Sequence, residues 1–449
     1  MYKFFLLLIL PVSLFSQILE ANLHTSWSIY DVQNIYAING LPPYVGEINY
    51  SVDGYQFKYL TTDANGNSVQ ASGAVFFPVD ATCPLPMLSW QHGTMVLDSG
   101  APSEDIENQY IGIISASHGY IVVMSDYLGL GSGEGFHNYC HSDTEASAVI
   151  DLILLSKEYA SSIQIETNNQ LFLMGYSQGG HATMATVKEI EQNWSENLSV
   201  TASCPMAGPY SMSEVQLNMI NSIYPNPGYF PYVIFSYQNA YGNIYNNVSD
   251  ILKPGFSDLL GMYNGQYTMG EINEEIWSIA LKNYDLGQDV FTPLDMLQEN
   301  YYYEFQNNVN HPFRLALAAN DLIDFTPNSP MRLIHCSGDN DVDFQNSVIA
   351  FESFQNEATE ELLLLDGGNI PHSDCALMSI ITAKLFFDSK VNLCNSDFEV
   401  NELLDSNNDV AYMFDIFGRN TLEAACNKLL IKIYEDGSVE KIINIRSTH

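Results

Sequence analysis

The sequence predicts an α/β fold, a mainly parallel sheet flanked by helices. Three observations carry that expectation. Short apolar runs alternate with helix-compatible stretches, one run ends in a glycine-rich turn around a serine, and 46% hydrophobic content in 449 residues is enough for a large buried core. The runs are Met87-Leu88-Ser89-Trp90, Tyr120-Ile121-Val122-Val123-Met124, Leu171-Phe172-Leu173-Met174, Arg332-Leu333-Ile334-His335 and Leu362-Leu363-Leu364-Leu365. Helical stretches over residues 144–158 and 182–192 lie between some of them, which argues a parallel sheet with helices on both faces. In such a sheet the chemistry sits at the carboxyl ends of the strands.

The chain begins with Met1-Tyr2-Lys3, an apolar run from Phe4 to Leu10, then Pro11-Val12-Ser13-Leu14-Phe15 and a small residue, Ser16, the pattern of a signal peptide cleaved before Gln17. The run is too short to span a bilayer, and no later segment reaches that length, so the expectation is an exported protein without a transmembrane segment, secreted or at the cell surface. Residues 17–394 then form one catalytic domain. It opens with a β-hairpin, residues 55–60 and 69–77 around Asn65-Gly66. From about 210 to 311 the alternation stops, and a dozen tyrosines occur between Tyr224 and Tyr303. The stretch is too long for a structureless loop and falls after the strand that follows the serine, so it is expected to be a helical cap over the site. Residues 395–449 change composition and end in a hairpin over 429–434 and 439–445, a small β-module.

Fifteen Lys and Arg against 53 Asp and Glu leave a net charge of -38, which repels phosphate backbones and anionic lipids, so no nucleic acid partner is expected. Seven cysteines include no C-x-x-C pair, which argues against a zinc knuckle. Their odd number leaves at least one unpaired in a monomer.

Gly175-Tyr176-Ser177-Gln178-Gly179-Gly180 follows the run at Leu171 and precedes a helical stretch, the context a nucleophile elbow requires. Ser177 is the candidate nucleophile. Its hydroxyl needs a base, and the base an orienting carboxylate, in the chain order serine, acid, histidine. Downstream stand His311, His335, His372 and His449. His335 falls inside a strand, His311 precedes the last plausible acid and His449 is terminal, which leaves His372, expected in a loop after the last core strand. For the acid, Asp339 is the first carboxylate to clear the strand, with Asp341 the second candidate and Asp343 a helix-start residue. The three aspartates lack the terminal glutamate and fixed ladder of a calcium loop. Gln91-His92-Gly93-Thr94 leaves a strand where an oxyanion hole belongs. The amide of Gly93 or Thr94 would join that of Gln178, with His92 a structural residue.

Together these segments resemble the secretory lipases and esterases of the α/β-hydrolase superfamily. The resemblance spans about residues 48–387 and includes Ser125-Asp126-Tyr127-Leu128-Gly129-Leu130-Gly131, His141-Ser142-Asp143-Thr144-Glu145-Ala146-Ser147 and Asp339-Asn340-Asp341-Val342. It implies an α/β-hydrolase fold, a Ser177/Asp339/His372 triad, no metal or cofactor, and a cap covering an acyl pocket. Cys336 stands where such enzymes usually carry glycine, and Asp343 where proline is common. The tail resembles the sorting module of type IX export through Asp415-Ile416-Phe417-Gly418-Arg419, which implies export machinery as a partner; the opening Asn-Pro pattern of that module is missing. The expected activity is hydrolysis of carboxylic esters, with a lipid or other small ester as substrate, through an acyl-enzyme on Ser177. A peptidase of the same fold and a non-catalytic binding protein are the alternatives.

Overall fold

The computed structural model describes residues 16–41, 45–355 and 361–393, together with the backbone of three strands in the tail. Of the expected signal peptide all but Ser16 lies outside the described residues, as do Cys394, Cys426, His449 and all but Asp415 of the sorting-like motif.

Nine strands form one sheet in the order β1-β2-β3-β5-β4-β6-β7-β8-β9. They are β1 Gln17–Trp27, β2 Val52–Thr62, β3 Ser68–Pro78, β4 Leu85–Gln91, β5 Ile121–Ser125, β6 Thr167–Tyr176, β7 Val200–Met206, β8 Met331–His335 and β9 Leu362–Asp366. From β5 to β9 all neighbours run parallel, whereas β1, β2 and β3 pair antiparallel and β3 meets β5 antiparallel. The expected hairpin is β2 and β3, with Thr62 opposite Ser68 and Gly66 in the left-handed region (φ 78°) that its turn needs. The parallel expectation therefore holds for six strands, and the hairpin with its edge partner β1 makes the sheet mixed.

Alternation along the strands loads both faces. Ile121 and Val123 of β5 join one apolar cluster with α3 (Ser142–Ser162), α4 (Gln178–Glu189) and α10 (Gln345–Phe354). Val122 and Met124 join the other, with α1 (Ile29–Ile38), α2 (Tyr110–Ser117) and α11 (His372–Asp388). Among the described residues no helix is long and apolar enough to cross a membrane.

Between β7 and β8 the chain leaves the sheet and forms α5 (Tyr229–Tyr241), α6 (Val248–Ile251), α7 (Met269–Tyr284), α8 (Glu299–Asn307) and α9 (Pro312–Ala319). These helices share a separate apolar cluster, in which Tyr232, Tyr237 and Tyr263 are buried. Much of the tyrosine content of the insertion is thus its own core. In the tail, Val410–Asp415, Lys428–Tyr434 and Val439–Asn444 form an antiparallel three-stranded sheet.

Candidate active site

The serine turn is built by close approach. A Cβ on Gly179 would stand 2.0 Å from the carbonyl oxygen of Gln91, and one on Gly175 would stand 2.3 Å from that of Gly179, so only glycine lets β4, β6 and α4 meet here. Ser177 between them adopts φ 62° and ψ -122°, a strained backbone that non-glycine residues rarely hold. It caps α4, whose first amides, beginning with Gln178, have no intrahelical carbonyl to bond. Gly93 lies across from it, since a Cβ there would come within 3.9 Å of Ser177 Cβ. Thr94 next to it hydrogen-bonds through Oγ1 to the Tyr139 hydroxyl at 2.9 Å. Buried His92 faces the carbonyls of Gly93 (2.8 Å) and Asp126 (3.3 Å), the structural role expected of it, and burial holds its pKa down.

His372 and Asp339 are brought together as expected, with His372 Nδ1 donating to Asp339 Oδ2 at 2.5 Å. The expected loop position of His372 is corrected: it is the first residue of α11, after Pro371 at the cap. Proline suits that start because a helix leaves its first amides unbonded in any case. Tyr176, the residue before the serine, donates its hydroxyl to the His372 carbonyl at 2.7 Å, and the two rings lie 4.9 Å apart. Among the described residues no hydrogen bond joins Ser177 Oγ to His372. Such bonds are often long before substrate binds.

The Asp339 carboxylate is saturated. Oδ1 accepts the amides of Asp341 (2.9 Å) and Val342 (2.8 Å), and Oδ2 faces His335 Nε2 (3.2 Å) as well as His372. Burial works to raise its pKa, but the hydrogen bonds from His335 and His372 outweigh it and hold the carboxyl well below the ordinary range. Asp341 has a different task. Its carboxylate accepts Asn226 Nδ2 at 3.0 Å and its carbonyl accepts the Tyr224 hydroxyl at 2.6 Å, so it tethers the insertion, and burial pushes its pKa up. Asp343 accepts the Gln345 amide at 2.9 Å where α10 begins, the helix-start role expected of it.

Three features escape the sequence reading. His335 is the last residue of its strand, where it reaches Asp339. A disulfide joins Cys336 to Cys375, three residues before Asp339 and three after His372, while Cys140 and Cys204 are free and buried. Behind Gln178 lies a buried network: Glu145 Oε2 accepts His181 Nδ1 (2.6 Å), and Glu145 Oε1 accepts Gln178 Nε2 (2.9 Å). Gln178 Nε2 also donates to His137 Nε2 (2.8 Å). His137 donates Nδ1–H to the Leu128 carbonyl, and burial pushes its pKa down to about 3, so it is neutral and Nε2 is free to accept. A histidine four residues after Ser177 and a glutamate in His141 to Ser147 were the available signals, but their pairing depends on how α3 meets α4.

A cavity opens at Ser177 and Gln178 and runs into the insertion, lined by Met212, Leu217, Ile220, Phe230 and Phe313. Its walls are largely apolar, and the serine lies at its sheet end.

The sequence profile described as secretory lipase matches residues 105–366. Among solved structures, a point mutant of the rice cell wall degrading esterase LipA from Xanthomonas oryzae is 27% identical, with a TM-score of 0.73, covering 83% of this chain and 99% of that one. A putative hydrolase from Legionella pneumophila shares the fold at 24% identity and a TM-score of 0.73, covering 83% of this chain and 97% of its own. Candida antarctica lipase A in its closed state shares it at 15% identity and a TM-score of 0.62, with 84% and 83% covered. No curated protein matches the chain.

Proposed function

The chain belongs to the secretory lipase family and is a carboxylic-ester hydrolase of the lipase and esterase type, and from that premise we propose that it acts through an acyl-enzyme on Ser177. His372 takes the serine proton as the hydroxyl attacks the ester carbonyl, then returns it to the leaving alcohol; water repeats the cycle and frees the acid. Asp339 orients His372 and stabilises the imidazolium. The amides of Gln178 and of Gly93 or Thr94 receive the charge that develops on the carbonyl oxygen. The observation that carries this reading is the Asp339–His372 pair at 2.5 Å, bound through Tyr176 to the strained Ser177 turn.

The apolar cavity beginning at Ser177 supports an acyl chain as the buried part of the substrate, with the insertion as its cap. Its described lining residues include tyrosines and Gln216 but no Asp or Glu to hold a free amine, which favours esters over aminoacyl amides. Turnover of a panel of acyl esters beside aminoacyl amides tests both points. Esters are expected to be cleaved with a pre-steady-state burst, and Ser177→Ala to abolish it; undiminished ester turnover in that variant would remove the serine from the mechanism.

The reading extends to location. A leader ending at Ser16 would leave a mature chain starting where β1 begins, at Gln17, and the tail would serve export. Mass analysis of the protein recovered from culture medium is expected to give Gln17 as its first residue, and a chain retaining Met1 would contradict it.

A further inference from the structure

We propose that His335 is a positioning residue for Asp339, resting on the reading of the Ser177 site given above. Two of the four donors on this carboxylate, the amides of Asp341 and Val342, belong to its own loop and move with it. His372 is the group to be oriented. His335 is the remaining donor and the one anchored in the sheet, as the last residue of β8.

Its ring is held from every side. Nδ1 hydrogen-bonds to Ser347 Oγ of α10 at 2.8 Å, and the ring meets Phe344 edge-on at 5.4 Å. Nε2 faces two acceptors, Asp339 Oδ2 at 3.2 Å and the Val342 carbonyl at 3.1 Å, so this nitrogen carries a hydrogen. The side chain is fully buried. One N–H therefore fixes the carboxylate oxygen that meets His372 and also the carbonyl that closes the acid loop. Sheet, helix and loop converge on that hydrogen. A catalytic group whose orienting partner loses such support is displaced by a fraction of an ångström to an ångström, and misplacement on that scale costs roughly 10- to 100-fold in rate.

A ring that merely fills space would be replaced by any ring of similar size. His335→Phe keeps the volume and removes the N–H, whereas His335→Gln offers an amide N–H at nearly the reach of Nε2. The experiment measures kcat and KM of both variants per serine titrated by a fluorescent phosphonate, so that unfolded molecules do not count. The expected result is a loss of about 10- to 100-fold in kcat for His335→Phe, little change in KM, and recovery of most of the loss in His335→Gln. Should the phenylalanine variant not fold, Ser347→Ala, which frees the ring from α10, is expected to lower kcat in the same way by a smaller factor. Wild-type kcat in the variants that fold, or equal losses in His335→Phe and His335→Gln, would overturn the proposal while leaving the Ser177 reading intact. Absence of phosphonate labelling in the wild type would instead overturn that reading.

Discussion

Asp126 and Asp339 are both buried aspartates in loops that leave parallel strands, and the fold drives them in opposite directions. Asp126, directly after β5, meets only neutral donors: Ser72 Oγ at 2.6 Å, Ser103 Oγ at 2.5 Å and the Ser103 amide at 2.9 Å. Burial prevails there and pushes its pKa up to about 6. Asp339, four residues past β8, meets two imidazoles and two amides, and its pKa is held low against the same burial. Depth alone makes a carboxyl reluctant to ionise; the donors around it decide whether its pKa rises or falls. The loops differ in covalent support too, since the Cys336–Cys375 bridge links the segments carrying Asp339 and His372 whereas hydrogen bonds hold the Asp126 loop.

The comparison breaks most readily at Asp339. Asp339→Asn removes the anion beside His372 and is expected to lower kcat by about 10⁴-fold. Asp341→Asn, which touches the insertion rather than His372, is expected to raise KM more than it lowers kcat, and steady-state kinetics of the two variants that came out equal would reassign the acid. Next in size is the bridge. Closing a loop of 39 residues contributes about 4 kcal/mol by restricting the unfolded chain, so replacing both cysteines by serine is expected to lower the denaturation midpoint by that equivalent.

The smallest effect sharpens the contrast through pH. Because the pKa of Asp126 is raised on folding, its contribution to stability is fully present below the ordinary value of 3.8 and is lost as pH rises through about 6. Asp339, whose pKa is depressed, contributes above 3.8 and loses that contribution only in stronger acid. Asp126→Asn keeps a neutral side chain at every pH. The melting temperature of the variant is therefore expected to gain on the wild type between pH 4 and pH 7, and a pH-independent difference would place the ionisation of Asp126 outside that range.

How much of this was legible in the sequence follows from what each feature depends on. The β2–β3 hairpin and the Ser177 turn were readable because their residues lie next to one another and the glycines have no substitute. That His372 and Asp339 would pair was readable through chain order. Two strands were given no bounds: β7, inferred only as the strand that follows the serine, has its apolar residues interrupted by Thr201, Ser203 and Pro205, and β1 is an edge strand with Leu19 and Leu23 exposed. His335 was set aside as a strand residue, correctly for its backbone. Which way the last side chain of a strand points depends on register with β7 and β9, and that is a property of the folded sheet. The pairing of Cys336 with Cys375 likewise depends on where α11 begins.

Whether Ser177 is the activated nucleophile that Asp339 and His372 serve is tested most directly by labelling the folded protein with a fluorophosphonate and mapping the adduct by peptide mass spectrometry. One adduct on Ser177, lost in His372→Ala while the circular dichroism spectrum is retained, is the predicted result. An adduct on another residue, or full labelling of Ser177→Ala, would contradict it.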